Sequence, residues 1–256
     1  MQEFPSTSGE TEAVVLIKAA PQVGHTHGET VCCAGMDFYG NWLRLYPVSF
    51  RLLQEPQKFR RWDKIRFRWR RPKDDRRPES RRVDQDSIEI IGQLREKERD
   101  SFLAKSVVTS LEAERTAGRS LALIRPEFIK FTYDRKLQND LDHEAARFER
   151  LRNQGDMFTK ATTPHRPCPY RFQYHYRIID GERTGTCQDW EVEATFFRWS
   201  LKYGEEKTLR LMASRFGEEY PRRGFVLAMG THSQYPDRWL INGVLRLDDT
   251  PQQALL

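Results

Sequence analysis

The sequence predicts an α+β fold: an N-terminal small antiparallel β-barrel-like sheet, a helical middle, and a C-terminal mixed sheet with two helices. Three observations support it. Short apolar or alternating runs separated by turn residues fill the first third of the chain, which is typical of small barrels. Apolar residues at helical spacing follow, and the last third combines strand-like and helical runs. Hydrophobic residues make up 38% of the chain, which is enough for a core.

Five runs in the first third predict strands. They are Ala13–Ala20, Glu29–Met36, Trp42–Val48, Lys64–Arg70 and Ser87–Ile91. A charged loop containing two prolines, residues 72–80, follows the fourth run. That fourth run alternates strictly, with Ile65, Phe67 and Trp69 between cations, so we expect one face of the strand to be buried.

The middle of the chain predicts one helix and two strands. The helix covers Arg95–Glu114, and the strands are Leu121–Ile124 and Glu127–Tyr133. The charged segment 135–152 predicts either a linker or an exposed helix. We place a boundary there between two co-folded domains, a β-rich basic domain over 1–134 and an α+β domain over 135–256, and we see no internal repeat.

The last third predicts strands around two helices. The elements are a strand over Tyr170–Ile179, a turn over Asp180–Gly185, helices over Asp189–Tyr203 and Glu205–Phe216, and strands over Phe225–Gly230 and Trp239–Leu247. Asp189 favours a helix start because a carboxylate there accepts hydrogen bonds from unpaired backbone N–H groups. Gly204 suits the end of that helix.

Composition indicates an anionic partner and a cytoplasmic location. The 256 residues carry a formal net charge of +6, and the isoelectric point is about 9.2, which favours nucleic acid or another acidic surface. The apolar runs are too short for a transmembrane helix, and the N-terminal segment lacks the features of a signal peptide. The four cysteines are therefore expected to be thiols.

The most informative segment is residues 60–82, which holds 12 Lys/Arg and 4 Asp/Glu. Phosphate groups are the predicted ligands of its cations, because backbone contacts to nucleic acid depend mainly on Lys and Arg. The predicted contacts are Arg60, Arg61, Lys64, Arg66, Arg68, Arg70, Arg76 and Arg77, with Trp62 stacking on a base. The alternative is an exposed strand that uses its charge to prevent edge-to-edge aggregation.

Four residues of zinc-binding type lie close in the sequence: His165, Cys168, His175 and Cys187. Zinc is the only cofactor that this set suggests. The spacing argues against a site, because no second close pair of ligands is present, and isolated structural residues are the competing interpretation. His25 and His27 form a weaker candidate pair for a metal or a phosphate.

An enzyme site is predicted around Cys187, Asp189, Glu191 and His232. A cysteine just before a helix start can become a nucleophilic thiolate, and the carboxylates would act as general acid or base. Ordinary helix capping explains the same carboxylates. His232, at the end of a predicted strand, would act as an acid/base or bind phosphate, or have no role.

Several segments resemble a family of uncharacterised bacterial proteins. They are TVCCAGM, WLRLYPVSFR, SLALIRPEFI, PYRFQYHY, CQDWE and LAMGTHSQYPDRWLINGV. They span nearly the whole chain, which implies one co-folded unit, and the resemblance implies no activity beyond a link to bacterial DNA modification or phage defence. Relatives often carry a loop richer in Cys and His where this chain has IIDGERTGTC, and that departure weakens the metal hypothesis.

The sequence therefore predicts a nucleic-acid-binding protein that holds the phosphate backbone with a cationic strand, with DNA and RNA both open. One alternative is an enzyme acting on nucleic acid or a modified nucleobase. Another is an interaction subunit whose basic strand meets an acidic protein partner.

Overall fold

The computed structural model describes residues 7–24, 28–154, 165–232 and 235–247. The strands of its first half, residues 8–93, are β1 (Ser8–Lys18), β2 (Gln22–Gly24), β3 (Gly28–Thr30), β4 (Cys33–Met36), β5 (Trp42–Tyr46), β6 (Asp63–Arg70), β7 (Ser80–Val83) and β8 (Glu89–Gln93). One sheet runs β1-β4-β5-β7-β6-β8, and β1 also pairs with β6, which closes a small barrel. The predicted N-terminal barrel-like sheet is confirmed.

The alternating strand β6 folds as its pattern predicts. Ile65 and Phe67 are fully buried inside the barrel, while Arg66 and Arg68 lie on the outer face. Strand β7 was not predicted, because its two central arginines resemble a continuation of the charged loop. Ser80 and Val83 at its ends are nevertheless buried, and β7 pairs in parallel with β5.

The middle of the chain is less regular than predicted. The single helix over Arg95–Glu114 is wrong: the structure has α1 (Glu96–Ala104), the short strand β9 (Val107–Val108) and α2 (Leu111–Thr116). Val107 and Val108 pair in parallel with the next strand, and β-branched residues favour that conformation.

The second half, residues 107–247, adds six strands to β9. They are β10 (Leu121–Ile124), β11 (Glu127–Arg135), β12 (Tyr170–Ile178), β13 (Gly181–Thr186), β14 (Phe225–His232) and β15 (Tyr235–Arg246). Its helices are α3 (Gln138–Gln154), α4 (Trp190–Tyr203), α5 (Glu205–Ser214), a π-helical segment (Arg215–Glu219) and α6 (Tyr220–Arg223). The mixed sheet with helices is confirmed, whereas the predicted turn over Asp180–Gly185 is mostly the strand β13.

The two halves share one strand order. In the first half, β1 pairs with β6 through its beginning and with β4 through its end, and β5 and β7 are parallel. In the second half, β10 pairs with β14 and β11 pairs with β12, on either side of Pro126. Cys187 forms a parallel bridge to Ile241 of β15, just after β13. In the first half, strands one to five are β1, β4, β5, β6 and β7. In the second half they are β10 and β11, counted as one bent strand, followed by β12, β13, β14 and β15. Both halves then follow the order 1-2-3-5-4-1, which is that of an OB fold.

An apolar cluster joins the halves. Leu16 of β1 and Met36 of β4 are fully buried against Leu123 of β10 and Ala228 of β14. Separate clusters fill the interior of each half. The outer face of the first barrel at β1 and β4 is therefore covered by the second half. None of the helices in the described ranges is long and apolar enough to cross a bilayer.

Candidate nucleic-acid interface and a polar pocket

The cations of β6 are largely balanced inside the sheet. Arg66 lies 2.8 Å from Glu12 and 3.4 Å from Glu89, and Arg68 lies 2.8 Å from Asp84. The pairing of β1 with β6 places Glu12 directly opposite Arg66. A phosphate could bind these arginines only by displacing the carboxylates that already pair with them.

Trp62 and Lys64 are also occupied. Trp62 is 7% exposed and packs in the cluster between the halves, with the Arg99 guanidinium 4.8 Å from its ring centre. Its φ of 73° places it in the left-handed region. The Lys64 amine lies 5.5 Å from the centre of the Phe38 ring. Trp62 is therefore a packing residue, and a base could reach its ring only after rearrangement.

Arg61 joins the predicted phosphate contacts to the predicted catalytic residues. Its Nη2 donates to both carboxylate oxygens of Asp189 at 2.8 Å, and its Nη1 lies 3.4 Å from Glu191. Asp189 also accepts from the backbone N–H groups of Glu191 and Val244. Burial opposes the positive charge, but Asp189 and Glu191 together raise the pKa of Arg61. This buried pair is structural: it fixes the start of α4 to the first half.

His232 lies away from that pair. Arg77 donates to the backbone oxygen of Thr231 at 3.0 Å and lies 2.6 Å from Asp75. Burial, assisted by Arg77 and Arg44, lowers the pKa of His232. Asp75 is itself partly buried, yet its bonds to Arg77 and Ser80 lower its pKa to about 2. Arg77 and His232 thus belong to the seam between the halves.

The remaining cations of the basic segment extend into solvent. Arg70, Arg71, Lys73 and Arg76 are exposed, and their side chains form no ion pair with any residue of the described chain. Three of them lie in the loop between β6 and β7, which connects strands four and five of the first barrel. Next to it, Arg81 stacks on the Trp69 ring at 4.4 Å. Arg60 is also exposed, before β6.

The four predicted metal ligands do not assemble. His175 lies on the outer face of β12, with its ring nitrogens 3.0 Å from the hydroxyls of Thr132 and Thr184. His165, Cys168 and Cys187 line a separate pocket. Within the described ranges, no group of three His, Cys, Asp or Glu side chains has metal-binding geometry. His25 and His27 lie outside the described residues.

The thiols are poorly suited to nucleophilic chemistry. All four cysteines are free, as expected. Burial raises the pKa of Cys168 to about 12 and raises that of Cys187 well above its usual value. A reactive cysteine requires a lowered pKa, so both thiols are protonated and unreactive near neutral pH.

The pocket that these residues line has a volume of about 350 Å³. Glu193, from the first turns of α4, reaches into it. Burial raises the pKa of Glu193 to about 7, and burial lowers that of His165 to about 4. The two side chains lie 3.9 Å apart, but with a neutral imidazole this contact is not an ion pair. Sequence reasoning missed Glu193, whose only signal is its position one helical turn after Asp189.

Two family models cover the chain. Residues 103–256 match a domain of unknown function, DUF8757, which is more than half of the chain. The chain belongs to that family. Residues 9–107 match a second domain of unknown function, DUF8758. The two matches meet between α1 and β9, whereas composition alone placed a boundary near residue 135, at the end of β11.

Wider comparisons of this DUF8757 protein add little. A search of curated proteins finds no match. Among solved structures, a chain from "Structure and Conformational Change of a Replication Protein A Heterotrimer Bound to ssDNA" is similar over 95% of this chain and 67% of its own length, with 8% identity and a TM-score of 0.26. A likeness that low carries no argument about fold or function.

Proposed function

We propose that this protein binds single-stranded nucleic acid, with the cations of the β6–β7 loop contacting phosphates. The observation that carries this proposal is the exposure of Arg70, Arg71, Lys73 and Arg76 without carboxylate partners in the described chain. OB folds bind oligonucleotides with the loops that join strands one to two and four to five, together with the face of strands two and three. The β6–β7 loop is the four-to-five loop.

The contrast within the basic segment strengthens the proposal. Arg66 and Arg68 would have to exchange Glu12 and Asp84 for phosphates, whereas the loop cations exchange only water and counterions. Release of counterions from the polyanion is the main source of such affinity. The loop is therefore expected to supply most of the binding free energy.

An aromatic side chain near the loop suits base stacking. Tyr39, in the turn between β4 and β5, is 92% exposed. Burial and the nearby Arg71 of the β6–β7 loop lower the pKa of Arg81, and Asp37 of the same turn as Tyr39 opposes that shift. Because this turn and the β6–β7 loop both have a residue close to Arg81, we expect Tyr39 to lie on the same side of the barrel as the loop cations. Aromatic residues of single-strand binders stack on bases in a sequence-tolerant manner.

The test is fluorescence anisotropy with labelled single- and double-stranded oligonucleotides across a salt series. The loop variant carries Arg71→Gln, Lys73→Gln and Arg76→Gln. The matched control carries Lys202→Gln, Lys207→Gln and Arg222→Gln, which removes the same charge from exposed positions on the helices of the second half. The wild type should bind with a steep negative salt slope, and the loop variant should lose about 0.7 of slope for each phosphate contact removed.

A second variant, Arg66→Gln with Arg68→Gln, separates the loop from the strand. We expect it to bind within about threefold of the wild type, because these charges are already paired. If the strand variant lost oligonucleotide affinity and the loop variant did not, the cationic strand β6 would be the phosphate contact instead of the loop. Absence of binding to either oligonucleotide at low salt would overturn the proposal.

A further inference from the structure

The Glu193 pocket combines the largely buried side chains of Glu193 and His165 with cations among its lining residues. We propose that this pocket binds one nucleobase, whose hydrogen-bonding edge meets the Glu193 carboxyl. The proposal rests on the proposed function for its choice of a nucleobase over other flat heterocycles. Its geometry is independent of the β6–β7 loop, because no residue of that loop lines the pocket.

The position of the pocket in the second half is one that OB folds use. Arg171 of β12 and Thr186 of β13 line it, and these are strands two and three of that half. Lys136 and Phe148, from the connection between strands one and two, also line it, as do residues 20–22 of the first half. Oligonucleotides bind OB folds at this face and this connection.

Aromatic rings line the pocket. Phe148 and His165 lie with ring centres 5.1 Å apart, and Phe148 and Tyr170 are 8% and 9% exposed. The volume of about 350 Å³ is within the usual range of small-molecule sites, roughly 300–1,000 Å³. Bases that leave a stack are commonly held against aromatic and histidine rings.

The Glu193 carboxyl has hydrogen-bonding capacity to spare. Its side chain forms no hydrogen bond with the described residues, and His165 Nε2 lies 3.9 Å from it, which is too long for a hydrogen bond. In its neutral form the carboxyl presents an O–H donor beside a carbonyl acceptor. Adenine and cytosine each present an amino donor beside a ring-nitrogen acceptor on the edge used for base pairing, which is the complementary pattern.

The rim suits the phosphate of the same nucleotide. Arg147 and Arg171 are exposed at the entrance, and Lys136 is held 2.9 Å from Glu144. A nucleotide would therefore place its neutral ring against neutral groups and its charge against cations. An isolated charge inside the pocket would be unfavourable, so the deep position favours a base over a free phosphate.

Several ionisable groups surround Glu193, and they set how its proton depends on pH. They are Lys136, Glu144 and Arg147 on the α3 side, His165 and Cys168 before β12, Arg171 on β12, and Cys187 and Asp189 before α4. His165 stays neutral above about pH 4. Glu193 is thus the group expected to change charge between pH 6 and pH 8.

The experiment titrates AMP and CMP into the full chain at pH 6 and pH 8, followed by saturation-transfer NMR and calorimetry. Wild-type affinity should fall about tenfold from pH 6 to pH 8, because the donor is lost. Glu193→Gln keeps a donor beside an acceptor, so its affinity should change between the two pH values only as far as the second ionisation of the nucleotide phosphate, at about pH 6, changes it. Glu193→Ala should lose binding, and the matched control Glu206→Gln, an exposed carboxylate in the first turn of α5, should behave as wild type.

Oligonucleotide anisotropy on the same variants identifies the source of the base. If the base belongs to a bound strand, an oligonucleotide displaces AMP; if the nucleotide is free, the two bind together. Both outcomes support the pocket. The inference is overturned if Glu193→Ala binds AMP and CMP as wild type does, or if no mononucleotide binds at pH 6. The loop variant should still bind AMP, so failure of the loop proposal remains distinguishable.

Discussion

The first half fills its barrel mainly with branched aliphatic side chains, whereas the second half, with the same strand order, fills its interior with many aromatic rings beside aliphatic side chains. Val15, Leu45 and Ile65 are typical of the first interior, and Phe172, Tyr174 and Phe225 are typical of the second. The shared order therefore does not depend on shared composition. It follows from where strands pair and bend, which explains why no repeat is visible in the sequence.

The halves also differ in how the barrel end is covered. Between strands three and four, the first half has only the short 3₁₀ turns Phe50–Leu52 and Glu55–Gln57, whereas the second half has α4 to α6. Trp190 of α4 packs on the first interior, with its ring centre 5.6 Å from that of Phe50. One helix thus contributes to both cores, and the first half is incomplete by itself.

The largest effect is expected at the ion pair between the halves. Asp189→Ala removes the partner of buried Arg61 together with a helix cap and an acceptor for Val244 N–H. Loss of one member of a buried pair costs about 3–5 kcal/mol. Urea unfolding followed by circular dichroism measures it. A loss below about 1 kcal/mol would show that the halves do not depend on this contact.

A somewhat smaller effect is expected in the apolar cluster between the halves. Leu123→Ala leaves a cavity at a fully buried position and should cost about 2–4 kcal/mol. Because the cluster is shared, hydrogen exchange should accelerate in both halves together. Leu137→Ala, at a position that is 72% exposed, is the control. Faster exchange confined to β10–β15 would mean that the halves unfold separately.

Glu193 supplies a pH-dependent term from a pocket of the second half that Ala20, Pro21 and Gln22 of the first half also line. Its pKa rises from 4.5 to about 7 on folding, so the folded chain keeps a proton that the unfolded chain releases. Its contribution is present below about pH 4.5 and is lost as pH rises through 7, by about 2–3 kcal/mol. Glu193→Gln should remove this loss, so its stability relative to wild type should increase between pH 4.5 and pH 7.5.

His165 acts in the opposite direction over an overlapping range. Its pKa is lowered to about 4, so its contribution is present above about pH 6.5 and is lost as pH falls. The wild-type profile therefore mixes the two groups, and only the difference between Glu193→Gln and wild type isolates Glu193. A pH-independent difference would contradict the raised pKa.

The smallest effect is expected on the outer face of the first barrel. Arg66→Ala removes a half-exposed ion pair with Glu12 and should change the free energy of unfolding by less than about 1 kcal/mol. Urea unfolding at low and high salt checks this. A loss as large as that of Asp189→Ala would remove the distinction between the surface pairs and the buried pair.

Local pattern predicted most of the elements, and long-range contacts decided the rest. Alternation identified β6, and the carboxylate of Asp189 identified the start of α4, because both signals act over a few residues. The break at Val107 depends on a partner strand fourteen residues later. The role of Arg61 depends on Asp189, 128 residues away. The residues next to Arg61 or Val107 in the sequence do not indicate such distant partners. The basic segment 60–82 therefore did not reveal which of its arginines are buried.

The ion pair between Arg61 and Asp189 also bears on modularity. The two family matches divide the chain near residues 103–107, which invites treating each match as an exchangeable cassette. Arg61 and Asp189 fall on opposite sides of that division. Joining one of the two segments to an unrelated neighbour would leave Arg61 or Asp189 buried without its partner. The two segments are therefore expected to be inherited and exchanged together.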